Sequence, residues 1–243
     1  MSPHPELAIP QRKLQVGVIL TGGVTEILDV APIDMLYSMS KNFLQTFPGD
    51  LLPPHFAAQA LDIELHWVTE AGKAAPAHLT SNITLLPTDS FETCPRLDIV
   101  LMGATTVGYT PNEAELAFVR KSFEECTAFL TICGGVSVPM MAGLLDGKTV
   151  TGPRVMLDEL RKLSPKTNWV DKRWMRDGKL WTSGTLLNGT DLMRAFCHAV
   201  WEDLGDPSLV AYTAQLASWP KRDVDYRDEP WEIQPEVNGP FFR

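Results

Sequence analysis

Cysteine is scarce and badly placed for structural work: Cys94, Cys126, Cys133 and Cys197 are scattered, with no CxxC pair and no histidine cluster beside them. That spacing excludes a zinc ribbon and a disulfide framework, and it implies a reducing, cytoplasmic compartment. Basic charge is in deficit, with 21 Lys and Arg against 30 Asp and Glu, a net charge of -9. A chain so balanced has no footprint for nucleic acid or for an anionic membrane surface. No apolar run approaches the roughly 20 residues that cross a bilayer, and the first, Leu14 to Leu20, has strand length. Internal repeats and low-complexity tracts are missing as well.

What is present is a core. With 243 residues, 44% of them apolar, the chain can bury a continuous interior as one large domain. Short apolar runs alternate with amphipathic segments, the rhythm of a mainly parallel α/β sheet sandwiched between helices, flavodoxin-like in layout. Strands are expected at Leu14–Leu20, Ile63–Val68, Leu97–Met102 and Ala128–Ile132, with weaker ones at Lys148–Thr151 and Leu180–Ser183. This α/β domain spans residues 14–204. A flexible, proline-containing tail (1–13) precedes it, and an extension (205–243) follows that packs on the domain or on a partner subunit. Its stretch from Trp219 onward is rich in proline, aromatics and charge.

Two helix starts are legible. Thr110-Pro111-Asn112-Glu113 offers an N-cap hydroxyl, a proline at the first helical position and a reciprocal carboxylate. A second helix is expected over Ile27–Ser40, with Asp29 near its N-terminus. Asn42–His55 reads as an irregular connection, because Pro48, Gly49, Pro53 and Pro54 interrupt it.

The chemistry centres on Cys133. It directly follows the apolar run Ala128–Ile132 and precedes Gly134, Gly135 and a helical segment Val136–Leu145. This is the order of a nucleophile elbow, in which small residues allow a sharp turn and a helix N-terminus faces the side chain. Such a site favours thiolate over thiol. Pro139 inside that segment argues for a kinked or delayed helix. Leu97–Met102 ends in Gly103 and Ala104, whose backbone N–H groups, with that of Gly134, form an expected oxyanion hole. Asp29 is either a helix cap or, beside a thiol, a carboxyl that keeps its proton because two anions in one cavity repel. Phe91, Tyr109, Trp181 and the aromatics of the tail from Trp219 onward are candidate pocket walls.

The ordered blocks Leu28-Asp29-Val30-Ala31-Pro32, Phe91 to Gly103, Thr131-Ile132-Cys133-Gly134-Gly135, Ala142 to Lys148, Arg176 to Leu180 and Asn188-Gly189-Thr190-Asp191 resemble the ThiJ/PfpI superfamily. This is the cysteine branch of the class I glutamine-amidotransferase-like fold, and the likeness is greatest to its isonitrile hydratase subgroup. The resemblance implies a six- or seven-stranded sheet, a homodimer, Cys133 as nucleophile, an acidic partner at Asp29, and Gly103 with Gly134 at the anion hole. It departs at Gly134, where hydratases commonly carry threonine, at Ala104, and at Thr151-Gly152-Pro153-Arg154, where relatives often place a histidine. None of the five histidines is positioned by motif as a base, which weakens the peptidase, amidotransferase and glyoxalase readings.

These observations lead to a cofactor-independent hydratase or lyase, without cofactor or metal, acting on a small apolar electrophile. Isonitrile hydration is the sharpest case, with a cyclisation or elimination on a specialised metabolite left open. The alternative is a non-enzymatic stress or redox protein with an oxidisable Cys133. An apolar pocket opening onto Cys133 separates the two, since a sensor needs only access for peroxide.

Overall fold

The computed structural model describes residues 4–48 and 52–228. Its seven-stranded sheet contains β1 (Leu14–Ile19), β2 (Ile63–Thr69), β3 (Asp89–Ser90), β4 (Ile99–Met102), β5 (Ala128–Thr131), β6 (Trp174–Asp177) and β7 (Leu180–Ser183). The spatial order is β6-β7-β5-β4-β1-β2-β3, parallel throughout except for the antiparallel β6–β7 hairpin. The helices that matter below are α1 (Ile27–Val30), α2 (Ile33–Ser38), α3 (Glu113–Glu125), α4 (Ser137–Met141), α5 (Leu157–Leu163), α6 (Asn188–Trp201) and α7 (Leu209–Leu216).

A parallel sheet covered on both faces needs apolar side chains at successive positions, because neighbours along a strand point to opposite layers. In β4, Ile99 and Leu101 enter the core shared with α1, α2, α6 and α7, whereas Val100 and Met102 enter the one shared with α3, α4 and α5. In β5, Ala128 and Leu130 join the first core and Phe129 the second. The α/β architecture expected from the apolar rhythm is therefore the one found, with seven strands.

Several local expectations need correction. The stretch Lys148–Thr151 forms only Thr149–Val150, which pairs with Asn168–Trp169 outside the main sheet, since β6 already occupies the open side of β7. The Ile27–Ser40 helix is broken into α1 and α2 around Pro32, which has no N–H to continue the ladder. The cap of α3 is Asn112 rather than Thr110. Asn112 and Glu115 form a reciprocal capping box, and Glu115 is drawn inward because Gly22 N–H and the Tyr109 hydroxyl also donate to it.

The region 42–55 is less irregular than its prolines suggest: Lys41–Leu44 and Pro54–Ala57 are single helical turns, Pro54 at a first position where its missing N–H costs nothing. The residues 4–13 are not loose either. Pro5–Ala8 makes a helical turn, Leu7 is buried with its carbonyl accepting from the Trp201 indole, and His4 accepts from the Trp181 indole. In the extension, α7 packs into the first core. Residues 229–243 lie outside the described residues.

Phe129 is fully buried on the central strand β5 and meets Phe123 of α3 edge-on. Phe129→Ala is expected to lose about 3–5 kcal/mol of stability. Denaturant unfolding measures it, and a loss under about 1 kcal/mol would show that this layer does not depend on the sheet's centre.

Candidate active site

The carboxyl end of β5 delivers Cys133 in a left-handed conformation, φ 58°, which a non-glycine residue adopts only under constraint. The constraint is Gly135. A Cβ there would stand 2.6 Å from the Met102 carbonyl oxygen, so only glycine lets the elbow press against the end of β4. Gly103 allows a second close approach, since a Cβ on it would lie 2.7 Å from Cβ of Asp29. Elbow, strand end and first helix thus converge on one point.

The segment after Cys133 is shorter than the expected helix. A 3-10 turn, Cys133–Val136, leads into α4, which ends at Met141 before Gly143 at φ 77°. Pro139 cannot donate within it, and the glycine provides the stop. So brief a helix contributes little dipole at the sulfur.

Asp29 is completely buried, and one of its oxygens, Oδ2, accepts from the Ala104 N–H at 2.8 Å. Burial pushes its carboxyl up to about 7, against the pull of that hydrogen bond and with help from the Glu26 charge. Cys133 is raised too, to about 12, first by burial and then by the Asp29 charge, while the N–H groups of Gly134 and Leu186 favour its anion. The expected lowered thiol is therefore corrected: an enclosed sulfur facing two carboxyls, with only a stub of helix behind it, keeps its proton. Burial also raises Cys94 to about 12 and Cys126 to about 11, and it pushes Cys197 up. Cys133 differs from them in opening onto a pocket.

That pocket is a cavity of about 260 Å³, walled by Val107, Val138, Met141, Pro153, Val155 and Met156, with Tyr109 and the Thr185–Leu186 segment at other sides. Tyr109 is thus a wall, but Phe91 stacks on Phe118 and Trp181 lies in the core. No histidine lines the cavity, and Pro153 stands in its wall.

The expected anion hole is partly corrected. Ala104 spends its N–H on Asp29, so it is not available to a ligand. Gly103 serves as a spacer against Asp29, and Gly134 N–H does face the sulfur. The second donor is Leu186, which carries no side-chain signature that a sequence could reveal.

Glu26 was missed as well. Its carboxylate, that of Asp29 and the Cys133 sulfur lie within 4.8 Å of one another, the one cluster of possible metal-ligating groups among the described residues. The position three residues before Asp29 could have drawn attention to it, as both fall at the same helix start. A thiol beside a carboxyl whose proton affinity lies near neutrality is suited to moving protons.

The fold and site define an α/β protein with a mainly parallel sheet, a cysteine on a strained elbow and a buried carboxyl beside it. The chain belongs to the DJ-1/PfpI family, whose model matches residues 50–200. It is 32% identical over 152 residues to an isonitrile hydratase of Pseudomonas putida, a match covering 61% of this chain and 65% of that protein, just under two thirds of its length. Among solved structures, a ThiJ/PfpI family protein from Pseudomonas syringae superposes with a TM-score of 0.66 at 14% identity, over 93% of this chain and 78% of that one. Drosophila melanogaster DJ-1beta gives 0.64 at 16% identity, covering 86% of this chain and 100% of its own. No helix among the described residues is long and apolar enough to cross a membrane.

The raised carboxyl has a measurable cost. An acid lifted from 3.8 to about 7 on folding binds its proton more tightly when folded. Its contribution is favourable below about pH 4 and is lost between about pH 4 and 7, leaving a penalty on the order of 4 kcal/mol in the ionised protein. Asp29→Asn keeps an acceptor for Ala104 and removes the charge. Its melting temperature should exceed the parent's at pH 8, by more than at pH 5. A gap that does not widen with pH would contradict the raised value.

Proposed function

We propose that the protein is a cofactor-independent hydratase of small apolar isonitriles, converting R–NC and water to the N-substituted formamide. The observation that carries this reading is an apolar cavity opening onto Cys133 beside a carboxyl whose proton affinity sits near neutrality. A general base is most effective when its pKa is close to the working pH. The similarity to an isonitrile hydratase supports the choice of electrophile.

In the proposed sequence, the Asp29 carboxylate takes the Cys133 proton as the sulfur attacks the terminal carbon of the isonitrile. The proton passes to that carbon, giving a thioimidate. Water adds to the thioimidate carbon, losing one proton as the imine nitrogen gains one, with Asp29 as the relay. The C–S bond then breaks, the formamide leaves, and the thiol is reformed. The Gly134 and Leu186 N–H groups lie where negative charge collects on sulfur. The cavity is smaller than the roughly 300–1,000 Å³ of drug-sized sites, which restricts the R group. A thiol held protonated at neutral pH is a poor peroxide sensor, since the thiolate is the form that is oxidised.

The reading includes a homodimer. Val107 in the pocket wall and Leu187, next to the wall residue Leu186, expose apolar side chains, 74% and 57% accessible, that a second copy would cover. Light scattering at micromolar concentration should give twice the mass of one chain, and a monomer would remove the dimer from the proposal.

Turnover is tested with a small alkyl isonitrile and formamide detection by mass spectrometry. Cys133→Ala should be inactive, and Asp29→Asn should fall by about a hundredfold or more, the scale of a lost general acid-base group. A fully active Asp29→Asn variant would refute the proton relay, and no formamide from the parent would refute the substrate class.

A further inference from the structure

The segment Trp219–Asp228 is tied to the domain through the buried Arg173 and Asp191. The fully buried Arg173 donates to Asp228 and to the Asp223 carbonyl, and its own N–H donates to the Val224 carbonyl. Arg222 pairs with the buried Asp191 of α6. At the centre lies Tyr226, at φ 59°, its ring between the guanidiniums of Arg154 at 4.4 Å and Arg173 at 4.7 Å.

The Tyr226 hydroxyl donates to Asn188 Oδ1 at 2.8 Å. The same oxygen accepts from the backbone N–H and the hydroxyl of Thr185, at 3.0 and 3.2 Å. Thr185 and Leu186 form one pocket wall, and the Leu186 N–H faces the Cys133 sulfur. Arg154, which packs on the tyrosine ring, lies in sequence between the wall residues Pro153 and Val155. The approach is close enough to require a glycine: a Cβ on Gly184 would come within 2.6 Å of the Tyr226 hydroxyl and 2.7 Å of Asn188 Oδ1.

We infer that Tyr226 is a positioning residue, which through Asn188 holds the Thr185–Leu186 wall of the pocket in place against Cys133. This rests on Cys133 being the reactive group and is independent of which electrophile it takes. Among the described residues, the titratable groups set against Cys133 are Asp29 and Glu26, from the first helical segment, and across the pocket Tyr109, whose hydroxyl is held by Glu115. The other walls present backbone and largely apolar side chains. A change in the sulfur's behaviour on altering Tyr226 is therefore a change in its N–H donors.

The test uses the intact chain and no substrate, so it succeeds or fails separately from the hydratase reading. Tyr226→Phe keeps the ring between the two guanidiniums and deletes only the donor to Asn188. Amide hydrogen exchange at Leu186 should become about tenfold faster, as expected for a wall segment that opens locally more often. Iodoacetamide alkylation of Cys133, followed by mass spectrometry from pH 7 to 10, should slow about threefold at each pH, because losing an N–H donor disfavours the thiolate. Arg227→Ala, which removes an exposed ion pair with Asp225 in the same segment, should match the parent in both. Unchanged Leu186 exchange, or alkylation that is unchanged or faster in Tyr226→Phe, overturns the inference. So does an equal effect from Arg227→Ala.

Discussion

Everything at the site depends on one steric constraint, the approach of three backbones to a distance that only glycine permits. Gly135 brings the elbow onto the Met102 carbonyl, and Gly103 brings the end of β4 onto Asp29. A methyl group at either place would clash with backbone or with Cβ of Asp29, and neither can move aside as a flexible side chain would. With the gap closed, the Ala104 N–H reaches the Asp29 carboxyl, water is excluded, and the carboxyl and the sulfur each face an environment that resists charge. The reactive character of the site follows from packing first and from charge second.

That ordering explains what could be read from the sequence. The sheet was legible because parallel strands buried on two faces must be continuous apolar runs, and Ile99–Met102 and Ala128–Thr131 are such runs. Cys133 and Asp29 were legible because an elbow and an acid at a helix start have local signatures. The short edge strand Asp89–Ser90 had no such run, and β6, Trp174–Asp177, is polar enough to read as loop, being held by its hairpin with β7. The lowered thiol was a misreading of scale. A helix N-terminus after a cysteine argues for thiolate only if the helix is long and the sulfur solvated, and here α4 has five residues and the cavity is dry in character. Leu186 and the link from the tail aromatic Tyr226 to the pocket were not legible for a different reason: they run through backbone and through a contact 38 residues apart, from Asn188 to Tyr226, which no local pattern encodes.

The carboxyl illustrates the usual tension between stability and activity. Burying Asp29 lowers the stability of the folded state as pH rises from about 4 to 7, yet the same burial brings its proton affinity to the value at which it can exchange protons with a substrate. A cap residue at the surface would cost nothing and could not do this. The two readings of Asp29 that the sequence left open, cap or acid, differ in solvation: the side chain hydrogen-bonds across to β4's end instead of back to its own helix.

The two outer strands have a consequence for how copies of this chain can meet. On one side β3 is only two residues long and follows Pro87; on the other, β6 carries Arg176 and Asp177 at the turn of its hairpin. Each rim strand is short, and β3 covers only Val68 and Thr69 of β2, so little of either outermost strand is offered to another chain. The sheet therefore ends within each molecule. A rim strand this short is a poor template, so growth by adding strands to it is disfavoured.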